Sequence, residues 1–557
     1  MKRDIAQLSG KVYDALIIGG GIYGAWAAWD AALRGLSVAL VDRRDFGSAT
    51  SSNTMKIIHG GLRYLQQADF GRMRESIRER KIMMKVAPYL IHPLPFLMPT
   101  YGHLMKGKEI MSIALMINDI VGFDRNWLSD PQKHLPGGLV ISRDQCLRLL
   151  PGINQKELTG GAIWYDCQVY NSERMILSVL RSAEKAQAVI ANYVEVTGFL
   201  RCGNRVIGVK ARDVLTGDEI DIRARVVVNT TGPWVNEVLR VLNGNYSVPR
   251  ILLSKAINIV VNRRLIPEYA VGVSSPFEFK NGDGIVNKGF RLLFIVPWHE
   301  YSLIGTTYVP FDDSPNNLSI TEGDIQNFIY EINRAYPAAS LKRDDISFFH
   351  CGLLPMDGVR GGEVRLTRKY QIWDHTKFDG TEGLISVIGV KYTTARAVAE
   401  KAIDLVFKKL GKRSPMCLTN VTPIYGGYIE QFSDFLTQET GKRERELDRD
   451  VIRHLIYNYG SEYHRVLKYI NDNADWKQTL DASSRVIKAE VIYGIREEMA
   501  QKLTDVVFRR TELGSGGNPG DTALKTCADI IAKELGWNEY RIQSEIEEVK
   551  AAFSTLT

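Results

Sequence analysis

Asp14-Ala-Leu-Ile-Ile runs into Gly19-Gly20-Gly21-Ile22-Tyr23-Gly24, then passes through Ala25, Ala28, Ala31 and Ala32 to Gly35 and a second apolar run, Ser37 to Val41. Strand, glycine turn, helix and strand in that order suit a pyrophosphate. Gly19 permits a tight turn, Gly21 lets the backbone approach the phosphates, Gly24 lets helix and strand pack closely, and the helix N-terminus favours negative charge. Asp42 closes the second strand 18 residues after Gly24. A carboxylate there accepts hydrogen bonds from a ribose and favours an unphosphorylated dinucleotide over NADP. The pattern predicts dinucleotide binding, and the next stretch decides between FAD and NAD.

That stretch is Ala49-Thr50-Ser51-Ser52 followed by Lys56-Ile57-Ile58-His59-Gly60-Gly61-Leu62-Arg63-Tyr64-Leu65. It resembles the signature of the aerobic-type, FAD-dependent glycerol-3-phosphate dehydrogenase family. The likeness continues through Asn229-Thr230-Thr231-Gly232-Pro233-Trp234, Ile304-Gly305-Thr306-Thr307, Leu366-Thr367-Arg368 and Gly389-Val390-Lys391-Tyr392-Thr393-Thr394. It reaches Ala489-Glu490-Val491 and Phe508-Arg509-Arg510-Thr511, so it covers essentially the whole chain.

The resemblance implies one non-covalent FAD and hydride transfer from C2 of sn-glycerol 3-phosphate to flavin N5, giving dihydroxyacetone phosphate. Electrons then pass to a quinone or to oxygen. It places Arg63 and Lys391 near the substrate, with Tyr64 and Thr307 as hydroxyl donors and Arg368 as a further cation, a set suited to a dianionic phosphate. His59, Gly60, Gly61, Thr231, Gly232, Gly389, Lys391, Tyr392 and Thr393 join Gly19, Gly21, Gly24 and Asp42 on the cofactor side. Thr50, Ser51 and Ser52 offer small hydroxyl and backbone donors to a phosphate or flavin. Gly389 precedes a helical run, Thr394 to Val406, whose positive end suits a reduced, anionic flavin.

Two positions depart from the family pattern. Lys255-Ala256-Ile257-Asn258-Ile259-Val260 carries Asn258 where a histidine is expected, and Gly352-Leu353-Leu354-Pro355-Met356 carries Leu354 where an arginine is expected. Hydride loss from an alcohol must also remove the hydroxyl proton, which an amide cannot accept at neutral pH, and leucine cannot stabilise an alkoxide. His350 does not replace the lost arginine, since four residues of strand span about 13 Å. His59 is the better proton-handling candidate, beside a role on the cofactor. A different anionic 2-hydroxy compound, or an amine, is the alternative substrate that these departures raise.

The elements that must position these groups follow from the apolar patterning. Ala15 to Ile18, Val38 to Val41 and Val226 to Val228 read as parallel strands buried on both faces. The predicted fold is α/β plus α: a doubly wound, Rossmann-like FAD-binding unit from 10–64, 161–253 and 367–410, interleaved with a β-rich substrate unit from 65–160 and 254–366. An all-helical domain, 425–557, follows. The stretch Leu104 to Phe123 reads as an amphipathic helix, either touching a membrane surface or buried between domains.

A chain of 557 residues with 71 basic and 64 acidic side chains is long enough for several cores and only mildly basic. It has no long Lys/Arg run, so a dedicated nucleic-acid arm is not expected. Six scattered cysteines without a CxxC pair suggest neither a disulfide framework nor a zinc site, and the histidines lack HxxxH spacing, so no metal is assigned. The polar start, Met1 to Gly10, and the lack of a long apolar stretch lead us to expect a cytoplasmic protein, peripheral at most on the inner membrane. The expected partners are a small anionic substrate, a phosphorylated polyol first, and quinone or oxygen as acceptor. Peripheral membrane contact and a homodimer stand as open expectations.

Overall fold

The structure is a computed structural model and describes residues 1–102, 107–243, 250–280, 286–442 and 444–554. Its first sheet runs Gln371–Asp374, Leu384–Ile388, Glu219–Asn229, Tyr13–Ile18, Val38–Val41, Val189–Ala191, all parallel except the first strand. The three apolar runs read from the sequence are neighbours: Ala15 pairs with Val226 on one side and Val38 on the other. Both faces are covered, as such runs require. Ala15, Ile17, Val38 and Leu40 pack under the helix Ile22–Leu33, whose alanines let it nest beside Ser172–Lys185 and Ala395–Lys409. Leu16, Ala39 and Val227 face Val235 and Leu239 of a helix on the other side, together with an antiparallel ribbon, Val194–Cys202 and Arg205–Asp213.

The second sheet is mostly antiparallel and runs from Glu363–Leu366 through Ile346–Arg360, Leu252–Val261, Tyr301–Phe311, Val286–Trp298, Ala270–Lys280 and Ile91–Tyr101 to Leu158–Val169. The helix Glu322–Ala335 covers one face with Ile325, Phe328 and Ile332 against Ile257, Ile259 and Ile304. Opposite lie Val260, Leu303, Trp164 and Trp298, with Met55 and Ile57 packed on them. Ile57–Ile58 and all of Leu158–Val169 from residue 161 onward fall within the boundaries expected for the dinucleotide unit, yet they add to this sheet. Ile91–Tyr101 pairs along the whole length of Leu158–Val169, from Ile91 opposite Val169 to Tyr101 opposite Leu158, and Ile57 pairs with Gln168. The motif around His59 therefore enters the site from the second sheet.

After Ala395–Lys409 the next helix begins at Phe432, and the C-terminal part is helical to Ala552. Arg449–Tyr459 and Tyr463–Asp472 complete the core of the first sheet's helical layer, whereas Val491, Leu503, Leu524 and Ile531 form a core of their own.

In the Leu104 to Phe123 stretch, Leu104 to Lys106 lie outside the described residues, and the helix spans Lys108–Val121. Of its apolar residues, Leu115 is buried, while Ile113, Met116 and Ile120 point outward, continued by Phe123 and Trp127. The interdomain alternative is thereby corrected, because the apolar stripe faces away from the protein.

Candidate functional site

The glycine loop has the shape that its spacing predicts. Gly19 has φ +102°, and a Cβ on Gly24 would strike the Gly19 carbonyl, so helix and turn close only without side chains there. Beside Gly21 a Cβ would meet only the Ser51 hydroxyl, at 3.1 Å, and beside Gly232 nothing within 4 Å. This leaves open room next to a helix N-terminus. Ser51 Oγ accepts from Ile22 N–H at 3.1 Å and so stands at that terminus. Asp42 accepts from Gly20 N–H (2.7 Å) and Arg44 N–H (2.9 Å), and burial, against those two bonds, pushes its carboxyl up to about 6. Space beside Gly21, donors at the helix end and a carboxylate at the strand end fit a dinucleotide whose diphosphate sits on the loop.

The Thr50 and Ser52 hydroxyls, on either side of Ser51, are engaged within the protein. Thr50 Oγ1 donates to Leu353 C=O and accepts from Leu353 N–H, fastening the loop to the second sheet, and Ser52 Oγ turns back to Ala49 C=O. Thr231 bonds Asn229. Tyr392 reaches Ser172 C=O with its hydroxyl, away from the loop. Gly60 N–H donates to Asp166, whose carboxylate also takes Arg80, and Gly61, at φ +84°, leads into the turn Leu62–Gln67. His59 N–H reaches Thr393 Oγ1 at 3.3 Å, tying this motif to the turn around Lys391.

That turn is held by a residue the sequence reading passed over. Tyr23, a variable position inside the glycine motif, accepts from Val390 N–H and Lys391 N–H and donates to Lys391 C=O at 2.7 Å. Gly389 must be glycine because the Tyr23 ring occupies its Cβ position. Occurrence between two motif glycines was the available signal, but a variable position carries no spacing of its own.

Cations gather around one tyrosine. The Lys391 ammonium lies 4.2 Å from the Tyr64 ring centroid and the Arg72 guanidinium 4.8 Å from it. Burial, with Arg72 next, lowers the Lys391 ammonium to about 8. Tyr64 is thus a platform for Lys391, and its buried hydroxyl is pushed up to about 12. The His59 ring meets the Tyr64 ring edge-on at 6.0 Å. Burial lowers its pKa to about 4, with Lys391, Arg80 and Arg63 adding to the effect and Asp166 opposing it. His59 is therefore a neutral imidazole ringed by cations. Arg63 is exposed, with no ion-pair partner among the described residues. Arg368 is exposed as well, and its carbonyl accepts from Arg72, which brings it to the rim of the same cluster.

Asn258 enters from the second sheet. Its Oδ1 accepts the Thr306 hydroxyl at 2.7 Å, and burial raises the nearby Tyr308 hydroxyl, with Thr306 and Arg63 opposing the rise. Thr307 is not part of this arrangement. The register between Leu252–Val261 and Tyr301–Phe311 slips between Ile257 and Ile259, and Thr307, opposite Ile257, turns to the helix-covered face. There its hydroxyl accepts from Arg291, which pairs with Glu331. Thr306 and Tyr308 take its place on the site face. Leu354, opposite Ser254, shares that face with Asn258 and His350. The site thus brings together His59, Arg63, Tyr64 and Lys391, with Arg368 at its edge, while Asn258 bonds Thr306 on the second sheet.

Comparison with known proteins identifies the family to which the chain is similar. Residues 14–405 match the family described as FAD dependent oxidoreductase, and residues 417–542 match the C-terminal domain of alpha-glycerophosphate oxidase. A glycerol-3-phosphate dehydrogenase of Synechocystis sp. is 33% identical over 552 residues, covering 98% of this chain and 97% of the relative. One from Mycobacterium leprae is 32% identical, covering 96% and 87%. The crystal structure of the glycerol-3-phosphate dehydrogenase from Bacillus halodurans complexed with FAD superimposes with a TM-score of 0.76 at 26% identity, covering 99% of this chain and 96% of that one.

Proposed function

Because the chain belongs to the glycerol-3-phosphate dehydrogenase family of FAD-dependent oxidoreductases, we propose that it oxidises sn-glycerol 3-phosphate at C2 to dihydroxyacetone phosphate and delivers the electrons to a quinone. One observation carries the reading. A neutral imidazole, His59, stands among Arg63, Lys391 and Arg80 at the junction of the two sheets, beside an open dinucleotide cradle. Arg63 and Lys391 bind the phosphate dianion, Tyr64 fixes Lys391, and His59 takes the hydroxyl proton. FAD, held by the loop Gly19–Gly24, Ser51 and Asp42, supplies the hydride acceptor. Asn258 holds Thr306 in place along the substrate's other side. Anaerobic mixing tests the proposal: glycerol 3-phosphate should bleach the flavin and unphosphorylated glycerol should not, and failure of glycerol 3-phosphate to bleach it would remove the proposal.

The lowered pKa of Lys391 gives a pH signature. Below about pH 8 Lys391 is a cation and pairs with the phosphate; above it the charge is lost, so kcat/KM should fall up to tenfold per pH unit from about pH 8. Lys391→Arg should abolish that alkaline limb, since a guanidinium stays charged. A parent profile flat to about pH 10 would show that Lys391 does not hold the anion.

The exposed stripe supports the acceptor assignment. Ile113, Met116, Ile120, Phe123 and Trp127 form an outward apolar face, with Arg74 over the Phe123 ring and Lys81 over that of Trp127. Arg74 and Lys81 share one carboxylate, Asp124, which leaves this rim of the apolar face one positive charge in excess, as suits an anionic lipid surface, where a quinone resides. No helix among the described residues is long and apolar enough to cross a membrane, and the contact proposed here is peripheral. The helix also packs against the turn Leu62–Gln67 that carries Arg63. Co-sedimentation with anionic vesicles should weaken in high salt, and serine at Ile113, Met116 and Ile120 together should reduce it by at least about tenfold with FAD content unchanged. Equal sedimentation of the triple variant would place the membrane contact elsewhere.

A further inference from the structure

The loop that follows Val38–Val41, Arg43 to Asn53, brings Ser51 to the helix N-terminus and sets the Phe46 ring against Gly20. At its centre stands Asp45, 1% exposed; Asn192 donates to it at 3.0 Å, and its charged partners come from the far end of the chain. Arg510 donates from both Nη atoms to the two carboxylate oxygens, at 2.6 and 2.7 Å, and Arg509 Nε adds a further bond. Arg509 also reaches Asp505 at 2.7 Å, which accepts the Tyr193 hydroxyl at 2.6 Å. Two carboxylates and two guanidiniums thus neutralise each other in a buried knot.

The arginines occupy a π-helical turn, Val506–Arg510, a form that recurs at functional sites. The turn is anchored on other sides too. Phe508 stacks on Phe348 of the second sheet at 5.9 Å, and Glu512, just beyond it, receives His454 Nδ1 at 3.3 Å. Next to the knot a cleft of about 1310 Å³ opens between the loop, at Arg44, Ser48 and Ser52, and the C-terminal helices at Lys502 and Trp537. Phe46 packs into the core and Thr50 ties the loop to the second sheet, while Asp45 braces it on the side where this cleft opens.

We propose that Arg509 and Arg510 are positioning residues for FAD: through Asp45 they hold the loop Arg43 to Asn53 in the conformation that receives the pyrophosphate, so the C-terminal helical region belongs to the cofactor site without touching the cofactor. This does not depend on which alcohol is oxidised. Breaking a buried pair leaves an unpaired charge and destabilises any fold, so the test must separate cofactor retention from stability. FAD release from the holoenzyme, followed by flavin fluorescence on dilution, should show a dissociation constant raised by about tenfold in Asp45→Asn, a coupling of ordinary size. Arg509→Lys, which keeps the charge but loses the fork, should give a smaller rise and serves where Asp45→Asn does not fold. Glu490→Gln, at a buried carboxylate that binds His454 and Tyr459 in the same helical region, should lower Tm while FAD affinity stays within about twofold. FAD held as tightly in the Asp45 and Arg509 variants as in the parent, or lost from all three variants in proportion to Tm, overturns the proposal.

Discussion

His59→Asn is expected to slow flavin reduction by glycerol 3-phosphate by about 10²–10⁴-fold, the usual contribution of a positioned general base, while leaving FAD bound and substrate affinity nearly unchanged. The reason is a process of elimination among groups at the site. Asn258 is an amide; His350, opposite it, is packed against Trp298 and Phe348; Arg63 and Arg72 do not deprotonate; Lys391 is a cation below about pH 8. Tyr64 is held protonated to about pH 12, and burial likewise raises Tyr308. His59, lowered to about 4 by burial and its cationic neighbours, is uncharged at neutral pH, and among the described residues its ring nitrogens have no hydrogen-bond partner. A base with so low a pKa is weak, but the same cations acidify the hydroxyl proton it must take, because they stabilise the developing alkoxide. Asparagine keeps a hydrogen-bond acceptor and similar bulk while removing basicity. Stopped-flow bleaching without oxygen reads the chemical step, and kcat/KM should lose its acid limb near pH 4 in the variant. A reduction rate within about threefold of the parent would assign the proton to another group.

How far the site could be read without coordinates depended on whether a residue's role is local. Gly19, Gly21, Gly24 and Asp42 act within one βαβ unit, and their roles follow from spacing alone. Thr307 shows where spacing misleads. Its motif identifies the segment, but a slip between Ile257 and Ile259 decides which of two adjacent threonines faces the site, and no local pattern encodes a slip set by the partner strand. Thr50 carries a similar lesson, since its hydroxyl is consumed by Leu353, 303 residues away. The helix Lys108–Val121 has an amphipathic stripe that reads identically whether it faces protein or lipid, and only the surrounding surface distinguishes the two. The motif Phe508 to Thr511 is visible as a string, yet its partner Asp45 lies 464 residues from Arg509. Departures from a family pattern are legible at once, but what replaces the missing group is a question about neighbours across strands.

Asn258→His should restore to the His59→Asn enzyme about tenfold to a hundredfold of its lost rate, while accelerating the parent by no more than about threefold. The asymmetry follows if both positions face the same hydroxyl: the parent already has a proton acceptor, and a second has little to add. Asn258 is 2% exposed and bonded to Thr306, so an imidazole at 258 meets the same threonine hydroxyl. Packing sets the cost. The Asn258 amide already sits against Gly305, whose Cβ position it occupies, so the larger ring must displace Met55, a flexible side chain at 2.6 Å from that position. Overpacking of this kind costs about 1–3 kcal/mol of stability, which lowers Tm without entering a single-turnover rate on folded, FAD-loaded enzyme. Leu354→Arg should add to the rescue, because Leu354 lies on the same sheet face as Asn258 and an arginine there supplies a cation for the alkoxide. Equal acceleration of parent and His59→Asn enzymes would mean that the two positions act independently, and no acceleration of either would mean that Asn258 stands away from the reacting hydroxyl. A gain confined to the His59→Asn background is the result that places both side chains on one proton.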